Sequence, residues 1–531
     1  MKARSIRVPA AAALATALSL GAAACSNPGS GAAGNGTKDS AVVGIAYEPD
    51  SLSPLLGYGK DGNSKIFDGL LTFDDEMQLG PALAAELPKV ADDGRTYTYT
   101  LRQGVKFSDG KPFTSKDVVF TYRTILDKKT NNASKTELDA IKDVKAAGDH
   151  TVVFTLKYPY APFAERTVLP IAPEHIAGKQ DVNTGAFTTR PVGTGPYVLT
   201  NWSKGEKLSL KSNPGYWGGE PKVKKFTMAI IKDDDVRATR LRTGDLDGAI
   251  LPPNLAKTFK DEAGRKSYAA KSFDYRTVTL PTHNKVAGDT AVRRALDVAV
   301  DRQAMVDQIL EGAGKPAYGP VPTDSPWFAK GTERKHDLNA AKKILDEAGW
   351  KPGKDGIRVK DGVTAAFPLW YLSGDKLRQD HALAYASDAK KAGIDIRTQA
   401  GTWEVIMPRM KHDAVLAGGG APGDPDFDQY SLLQSTLAGD GFNNMAQYDN
   451  PAVDKALKDG RRSGEPAERK AAYDTVQREL VKNPGYTFLT HIDHLYVVDD
   501  KWTGLSTQIE PHDHGLASGP WWNVEDWTPK K

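Results

Sequence analysis

The chain has 531 residues, of which 40% are hydrophobic and 26% charged, enough for a sizeable core and about three domains by length. The formal net charge of +3 is too small to indicate nucleic-acid binding. Cys25 is the only cysteine of the sequence, which excludes an internal disulfide.

The N-terminus has the layout of a bacterial signal peptide. A positively charged start precedes an uncharged apolar run over residues 8–20, which is too short for a permanent membrane helix. Small residues follow, and Ala22-Ala23-Ala24-Cys25 resembles a lipobox with alanine in place of the usual leucine. The sequence therefore predicts a signal peptide over residues 1–24 and lipid attachment at Cys25.

Residues 25–40 are rich in Gly, Ser, Asn and Ala, a composition typical of a flexible tether that cannot bury a core. A tether between a lipid and a folded body would keep that body close to the membrane. No later segment is long and apolar enough for a membrane helix. Membrane contact is therefore predicted through the Cys25 lipid alone.

Strand and helix signals alternate along the remaining chain, which predicts an α/β or α+β fold. Runs of β-forming residues predict strands. They lie at residues 41–47, 95–101 and 151–156, after the turn at 193–197, and at 394–397.

Helices are predicted from capping residues and from apolar positions that share one helical face. Thr114-Ser115-Lys116-Asp117 resembles a capping box that opens a helix. A second helix is predicted from Asp289. Residues 337–348 and 379–391 predict two more, each closed by a nearby glycine.

No catalytic motif stands out. The sequence contains no Gly-x-Ser-x-Gly, His-Glu-x-x-His or Walker A pattern. Gly312-Ala313-Gly314-Lys315 resembles a phosphate loop, but it lacks the following Ser or Thr and the required spacing. The sequence predicts that the protein is not an enzyme and has no cofactor.

Alternate aspartates at Asp424, Asp426 and Asp428 imitate the start of a calcium loop. The glycine required at the sixth position is replaced by Gln429, and the glutamate at the twelfth by Ser435. Calcium binding is therefore not predicted, and no metal site is assigned.

Four of the ten histidines lie near the C-terminus. His491 and His494 fall in a β-like run, where a spacing of three places them on opposite faces, a poor geometry for sharing a metal. His512 and His514 would share one face if the chain is extended there. A metal or metal-chelate role for the four histidines stays open.

Several blocks, in the same order, resemble extracellular solute-binding protein family 5, the lipoproteins that serve dipeptide, oligopeptide and nickel ABC importers. The resemblance covers essentially the whole chain after the tether. The blocks are residues 93–102, 104–110, 117–122, 191–197, 213–219, 244–247 and 292–302.

The resemblance implies an α/β fold, a two-lobed clamp of the periplasmic-binding-protein type II (cluster C) with an extra α+β domain. Lobe I would comprise residues 41–70, 190–280 and 500–531, the extra domain 71–189, and lobe II 281–499. Ligand would bind between the lobes, and hinge closure would bury it. The protein is expected to be a monomer.

The resemblance also suggests ligand contacts in the cleft. Peptide-binding members pair the peptide α-ammonium with an aspartate whose position falls at Ala421 here. A buried, unpaired ammonium would cost roughly several kcal/mol, so this anchor is missing unless Asp424 or Asp426 replaces it. Gly419 and Gly420 allow either close approach of a bulky ligand or a plain loop.

Other candidates follow from the same comparison. Trp403 falls at the start of a cleft-lining helix, where it would cover a sugar face, a peptide side chain or a planar chelate; the alternative is a core tryptophan. Arg409 is a candidate for an anionic group. Tyr47 and Glu48, at the end of the first strand, and Tyr58 are further candidates.

The sequence thus predicts a lipid-anchored substrate-binding subunit of an ABC importer, held at the outer face of the cell membrane, on the periplasmic side if an outer membrane is present. It would capture an extracellular solute and deliver it to the permease subunits. A peptide or peptide-like ligand leads. The alternatives are an oligosaccharide, a metal chelate, or a role as a ligand-presenting sensor.

Overall fold

The computed structural model describes residues 39–132, 135–421, 423–512 and 517–530. The predicted signal peptide, Cys25, nearly all of the predicted tether, and His514 lie outside these residues. Within the described ranges, no helix is both long and apolar enough to cross a membrane.

A seven-stranded mixed sheet surrounds the first predicted strand, which ends at Ile45 rather than at Tyr47. This central strand has parallel neighbours on both sides, and four of its six residues are buried, as expected for a strand covered on both faces. The body around this sheet is called lobe I. In spatial order its strands are Arg265–Ala270, His494–Asp499, Gly248–Leu251, Ser40–Ile45, Lys225–Ile230, Lys207–Ser212 and Tyr197–Ser203.

A six-stranded sheet forms the second body, called lobe II. Two adjacent interior strands, Tyr486–Ile492 and Tyr275–Thr279, are buried at every residue, because helices and apolar clusters cover both faces. In spatial order the strands are Gly314–Pro316, Tyr486–Ile492, Tyr275–Thr279, Ala414–Gly419, Ala366–Leu372 and Asp395–Gly401.

The extra domain contains a four-stranded antiparallel sheet and one long helix, Ser115–Leu126. Thr114 and Asp117 form the predicted capping box of this helix. A continuous hydrophobic core joins this domain to lobe I, so the two bodies pack as one unit. The sheet strands, in spatial order, are Lys89–Val90, Thr96–Thr100, Thr151–Leu156 and Ile141–Ala146.

The remaining helices lie mostly in lobe II, where the predicted helices begin and end within three residues of the observed bounds. A short hairpin of Leu71–Phe73 and Leu79–Pro81 adjoins the extra domain. The α-helices are Glu174–Ala177, Asp234–Arg242, Pro253–Ala256, Thr290–Ala299, Arg302–Gln308, Leu338–Glu347, Lys376–Ala392, Trp403–Ile406, Asp426–Leu433, Pro451–Arg462 and Pro466–Lys482.

Strand pairing corrects the predicted lobe boundaries. The range predicted for lobe II, 281–499, omits Tyr275–Thr279, which lies in the middle of the second sheet. It also includes His494–Asp499, which lies in the first sheet. The chain therefore changes lobes just before Tyr275 and again at Asp493, because backbone hydrogen bonds assign these strands to their sheets. The other predicted domain limits stay predictions.

Candidate binding site

A cavity of about 480 Å3 lies between the two lobes, and both supply its walls. Lobe I contributes the end of the first strand with Tyr47 and the segment 250–253, and lobe II contributes the loop 372–378. Arg276 and His494, close to the points where the chain changes lobes, complete the wall. The volume is in the range of small-molecule sites. We call it the inter-lobe cavity.

The chain passes between the lobes twice, near Asp274 and near Asp493, and these two segments lie side by side. Ser272 Oγ donates to the carbonyl of Ile492 at 2.5 Å, and the Ile492 amide donates to the carbonyl of Asp274 at 2.9 Å. The prediction that His491 and His494 share one strand is wrong. His491 ends a strand of lobe II and His494 begins a strand of lobe I, because the chain leaves one sheet for the other between them.

A buried polar cluster joins the lobes at these crossings. Asp274 Oδ1 accepts a hydrogen bond from Arg276 Nη1 at 2.5 Å and lies 2.8 Å from His512 Nδ1. Asp274 Oδ2 lies 3.0 Å from His494 Nε2, and His494 Nδ1 bonds to Glu510. We call these five residues the hinge cluster. The carboxylates and imidazoles bond to one another, whereas Arg276 Nε has no partner in the described part of the chain. In the described ranges no group of three or more potential ligands is arranged for a metal.

The hinge cluster favours a charged histidine. Burial by itself lowers the pKa of His494, but the charge of Glu510 and hydrogen bonds to Asp274 and Glu510 raise it to about 10. Burial opposes ionisation of Asp274, yet Arg276, His512 and the hydrogen bonds from both histidines hold the pKa of Asp274 well below its usual range. The cluster is therefore an ionic network that ties segments distant in sequence.

Gly418 lies against two guanidinium groups of the cavity wall. A Cβ at this position would lie 2.9 Å from Arg276 Nη1 and 3.1 Å from Arg378 Nη2. Any side chain at this position would crowd both arginines and His512, whose Cε1 would lie 2.9 Å from the Cβ, so packing accounts for this first glycine of the run.

The next two glycines have similar explanations. A Cβ on Gly419 would meet the hydroxyl of Tyr275 at 2.5 Å. Gly420 has φ +134°, and its Cβ would lie 2.2 Å from the carbonyl of Phe273. Gly419 ends the strand Ala414–Gly419 and Gly420 follows it, so packing against Tyr275 and Phe273 accounts for both glycines without a ligand. Ala421, at the position of the missing aspartate, packs partly buried against the core of lobe I and the extra domain.

Asp424 and Asp426 are not free to replace the missing anchor, which corrects the alternative left open by the sequence. Asp424 accepts two hydrogen bonds from Arg469, at 2.5 and 2.7 Å. Asp426 accepts from Tyr160 at 2.7 Å and lies near Arg461. Both carboxylates are buried, and neither lines the inter-lobe cavity. They join helices of lobe II to each other and to the extra domain.

Among the first-strand candidates, only Tyr47 lines the inter-lobe cavity, and its side chain is 40% exposed. Glu48 instead accepts hydrogen bonds from Trp202 Nε1 at 2.8 Å and from the Gly205 amide at 3.0 Å, which hold the adjoining hairpin. Tyr58 is buried in the hydrophobic core of lobe I. These contacts give Glu48 and Tyr58 structural roles.

Trp403 and Arg409 lie on lobe II, outside the inter-lobe cavity. Trp403 contacts Phe442 edge to face at 5.1 Å and packs on a small apolar cluster around Ile406. The Arg409 guanidinium lies 5.1 Å above the ring of Trp370 and bonds to a backbone carbonyl. A ligand role for Trp403 and Arg409 stays a prediction.

The sequence reasoning missed the arginines of the cavity wall. Arg276 is the only charged residue of the fully buried strand Tyr275–Thr279, and Arg378 follows the helix-capping Asp375. A charged residue inside such a strand needs a partner or a ligand, and this was the available signal.

A second cavity, of about 350 Å3, has walls from lobe I, the 71–81 hairpin and the C-terminal segment, and it does not lie between the two lobes.

Comparison with known proteins places this geometry in a family. The family model of bacterial extracellular solute-binding proteins, family 5 Middle, matches residues 78–440. Protein XP55 of Streptomyces lividans is 67% identical over 509 residues, which cover 96% of this chain and 94% of that protein.

Two solved structures share the fold. NikZ from Campylobacter jejuni in complex with Ni(L-His) superposes with a TM-score of 0.86 at 30% identity, covering 93% of this chain and 100% of that one. The oligopeptide-binding protein AppA from Bacillus subtilis, in complex with a nonapeptide, gives 0.81 at 28% identity, with 93% and 99% covered. The predicted α/β two-lobed clamp with its extra domain is confirmed. The chain belongs to the bacterial extracellular solute-binding proteins of family 5.

Proposed function

We propose that the protein captures an extracellular peptide or peptide-like solute between its lobes and delivers it to the permease of an ABC importer. The observation that carries this proposal is the inter-lobe cavity of about 480 Å3, whose walls come from both lobes. A ligand that contacts both walls stabilises the closed arrangement over the open one. Membership of a family of solute-binding proteins supports binding rather than catalysis as the activity.

A peptide fits the chemistry of this cavity better than an uncharged sugar. Five lysine or arginine side chains and four aspartates lie in its wall, and such a wall favours a ligand with ionic groups. Similarity to the oligopeptide-binding protein AppA supports the same class of ligand. An oligosaccharide and a metal chelate are the competing ligands, and a ligand-presenting sensor is the competing role.

We expect short peptides to raise the melting temperature of the purified protein and to give heat on calorimetric titration. Alanine peptides of two to six residues form the test series, with maltotriose as the uncharged control. A ligand at about 100 times its Kd stabilises the folded state by about 2.7 kcal/mol.

Heat and stabilisation with maltotriose, but with no peptide, would contradict the peptide proposal. Native mass spectrometry of protein purified from its own host gives an independent check, since a retained ligand adds its own mass.

The membrane attachment is also proposed, on the lipobox-like sequence that ends at Cys25. We expect Cys25→Ala to move the protein from the membrane fraction into the soluble fraction, because burial of acyl chains supplies the attachment at about 0.8 kcal/mol per CH2. Ser26→Ala is the matched control and should stay with the membrane. An unchanged membrane fraction for the Cys25 variant would refute lipid attachment at this residue.

A further inference from the structure

Two arginines from different elements of lobe II meet at one end of the inter-lobe cavity. Arg276 comes from the central strand Tyr275–Thr279 and Arg378 from the first turn of helix Lys376–Ala392. Both line the cavity, and a Cβ built on Gly418 would lie close to a terminal nitrogen of each. They are only 7% and 5% exposed. Each guanidinium has an aspartate partner, Asp274 for Arg276 and Asp375 for Arg378. Burial and the nearby charge of Arg276 nevertheless lower the pKa of Arg378, so a further anion close to both arginines would be stabilising.

The two arginines also have unused hydrogen-bonding capacity. Arg276 donates through Nη1 to Asp274 and to a backbone carbonyl, and Arg378 donates through Nη1 to Asp375. The Nε atoms of both are buried and have no hydrogen-bond partner in the described part of the chain. A guanidinium has five N–H donors, and a buried donor without a partner is unfavourable. The Nε atoms are covered by protein, so a ligand carboxylate would bond to the Nη2 atoms, for which the described part of the chain shows no hydrogen bond.

The aspartates of the cavity wall do not offer an equivalent site for an amine. Asp234, Asp274 and Asp375 are each paired with an arginine. The fourth, Asp493, lies near Lys315 and His494, and burial raises its pKa. Asp424 and Asp426 are occupied elsewhere, as shown above. The wall further contains the lysines Lys232 and Lys376. The cavity is therefore better prepared for an anionic group than for a cationic one.

We infer that Arg276 and Arg378 together bind the terminal carboxylate of the peptide ligand, and that the protein selects its ligand by this group rather than by the amine. The inference rests on the proposed peptide-binding function. This specificity would explain why no acid is needed at Ala421. Peptides blocked at the amine are then expected to bind, and peptides blocked at the carboxylate are not.

The test uses the full mature protein and the alanine peptide of the series above that binds best, in three forms. These are the free peptide, its N-acetyl derivative and its C-terminal amide. We expect the amide to bind at least about tenfold more weakly than the free peptide, since a hydrogen-bonded charge contact is lost. The N-acetyl peptide should bind within about threefold of the free peptide, a difference of at most about 0.65 kcal/mol.

A variant separates recognition from folding. Arg378→Lys keeps the positive charge but loses the planar fork that matches a carboxylate. We expect it to reduce the preference for acid over amide, with affinity for the amide unchanged, whereas a merely structural effect would weaken both forms equally. Arg397→Met, on an exposed side chain of lobe II, is the control and should leave the preference unchanged.

The outcomes are distinct. If the amide binds as tightly as the free acid, or if acetylation costs more affinity than amidation, the inference is wrong and the peptide function stands. If no peptide of the series binds, the proposed function fails and this inference fails with it. Should the Arg378 variant not fold, the comparison of the three peptides on the unmodified protein decides.

Discussion

Arg469→Met is expected to lower the free energy of unfolding by about 3 to 5 kcal/mol, the usual cost of leaving one member of a buried ion pair alone. The Arg469 guanidinium donates to both oxygens of Asp424, at 2.5 and 2.7 Å, and its Nε donates to the carbonyl of Gly460 at 2.8 Å. Removing it leaves the buried Asp424 carboxylate with the hydrogen bond from the Asp426 amide, at 2.9 Å, but without its counter-charge, and the Gly460 carbonyl loses its side-chain donor. Urea unfolding followed by tryptophan fluorescence measures the loss.

The neighbourhood of Asp424 makes this loss larger. Burial and the charge of Asp424 raise the pKa of Glu165 to about 7, and Glu165 Oε2 is buried without a hydrogen-bond partner. Without Arg469, two carboxyl groups would face each other in a poorly hydrated place. Asp424→Asn combined with Arg469→Met should therefore recover part of the stability, because the uncompensated charge is gone.

The matched control is Lys455→Met, which breaks an exposed pair with Asp459 one helical turn away. Such surface pairs contribute about 0.3 to 0.5 kcal/mol. An Arg469 variant no less stable than the Lys455 variant would show that the Asp424 pair contributes little to the fold. It would also reopen Asp424 as a ligand contact.

The second large effect is a loss of stability at alkaline pH, centred on His494. The pKa of His494 is about 10 in the folded protein, against about 6.5 for an unperturbed histidine. The folded state therefore holds a proton that the unfolded state releases. The stabilisation is complete below pH 6.5 and is lost as the pH rises to about 10. Over that interval we expect a decrease on the order of 3 kcal/mol.

Two buried carboxyl groups, those of Glu165 and Asp428, also make the folded protein less stable as the pH rises, but in a lower pH range than His494. Burial raises the pKa of Glu165 and of Asp428 to about 7. Because each is raised above its unfolded value, the stabilisation is complete below about pH 4 and is lost as the pH rises towards 7. The protein should accordingly have a higher urea midpoint at pH 5.5 than at pH 9.

The contribution of His494 itself is measured by comparison with His494→Gln. The difference in unfolding free energy between the two proteins should be large at pH 6 and should shrink steadily towards pH 10. His336→Gln changes an exposed histidine and should show no such trend. A difference for His494→Gln that does not change between pH 6 and pH 10 would mean that His494 is neutral in the folded protein.

Local features of the sequence were sufficient for the four helices and five strands that were predicted, but helices such as Pro451–Arg462 and Pro466–Lys482 were not predicted. Thr114 and Asp117 cap a helix as their spacing indicates, and Gly393, with φ +93°, ends the helix Lys376–Ala392. These features depend on residues a few positions apart, so the sequence shows them directly. The ordered blocks likewise identified the family, because they extend over nearly the whole folded chain.

The candidate site depended on pairs that the sequence does not reveal. Asp274 meets His494 220 positions later, and Tyr160 meets Asp426 266 positions later. Whether an acid such as Asp424 is available to a ligand depends on whether an arginine from another helix has already paired with it. That is why the aspartates after the glycine run were reasonable candidates and are nevertheless engaged elsewhere.

The sequence by itself determined the family, some of the helices and strands, and the absence of an acid at Ala421, since each is a property of residue identity or short spacing. Only the tertiary structure decided which strands belong to which lobe and which charges face the cavity. Backbone pairing between distant segments places Arg276 opposite Gly418, and the packing around Gly418 brings a terminal nitrogen of Arg378 close to the same point. The sequence shows which charged side chains are present. Only the fold decides which of them pair with each other and which are available to a ligand.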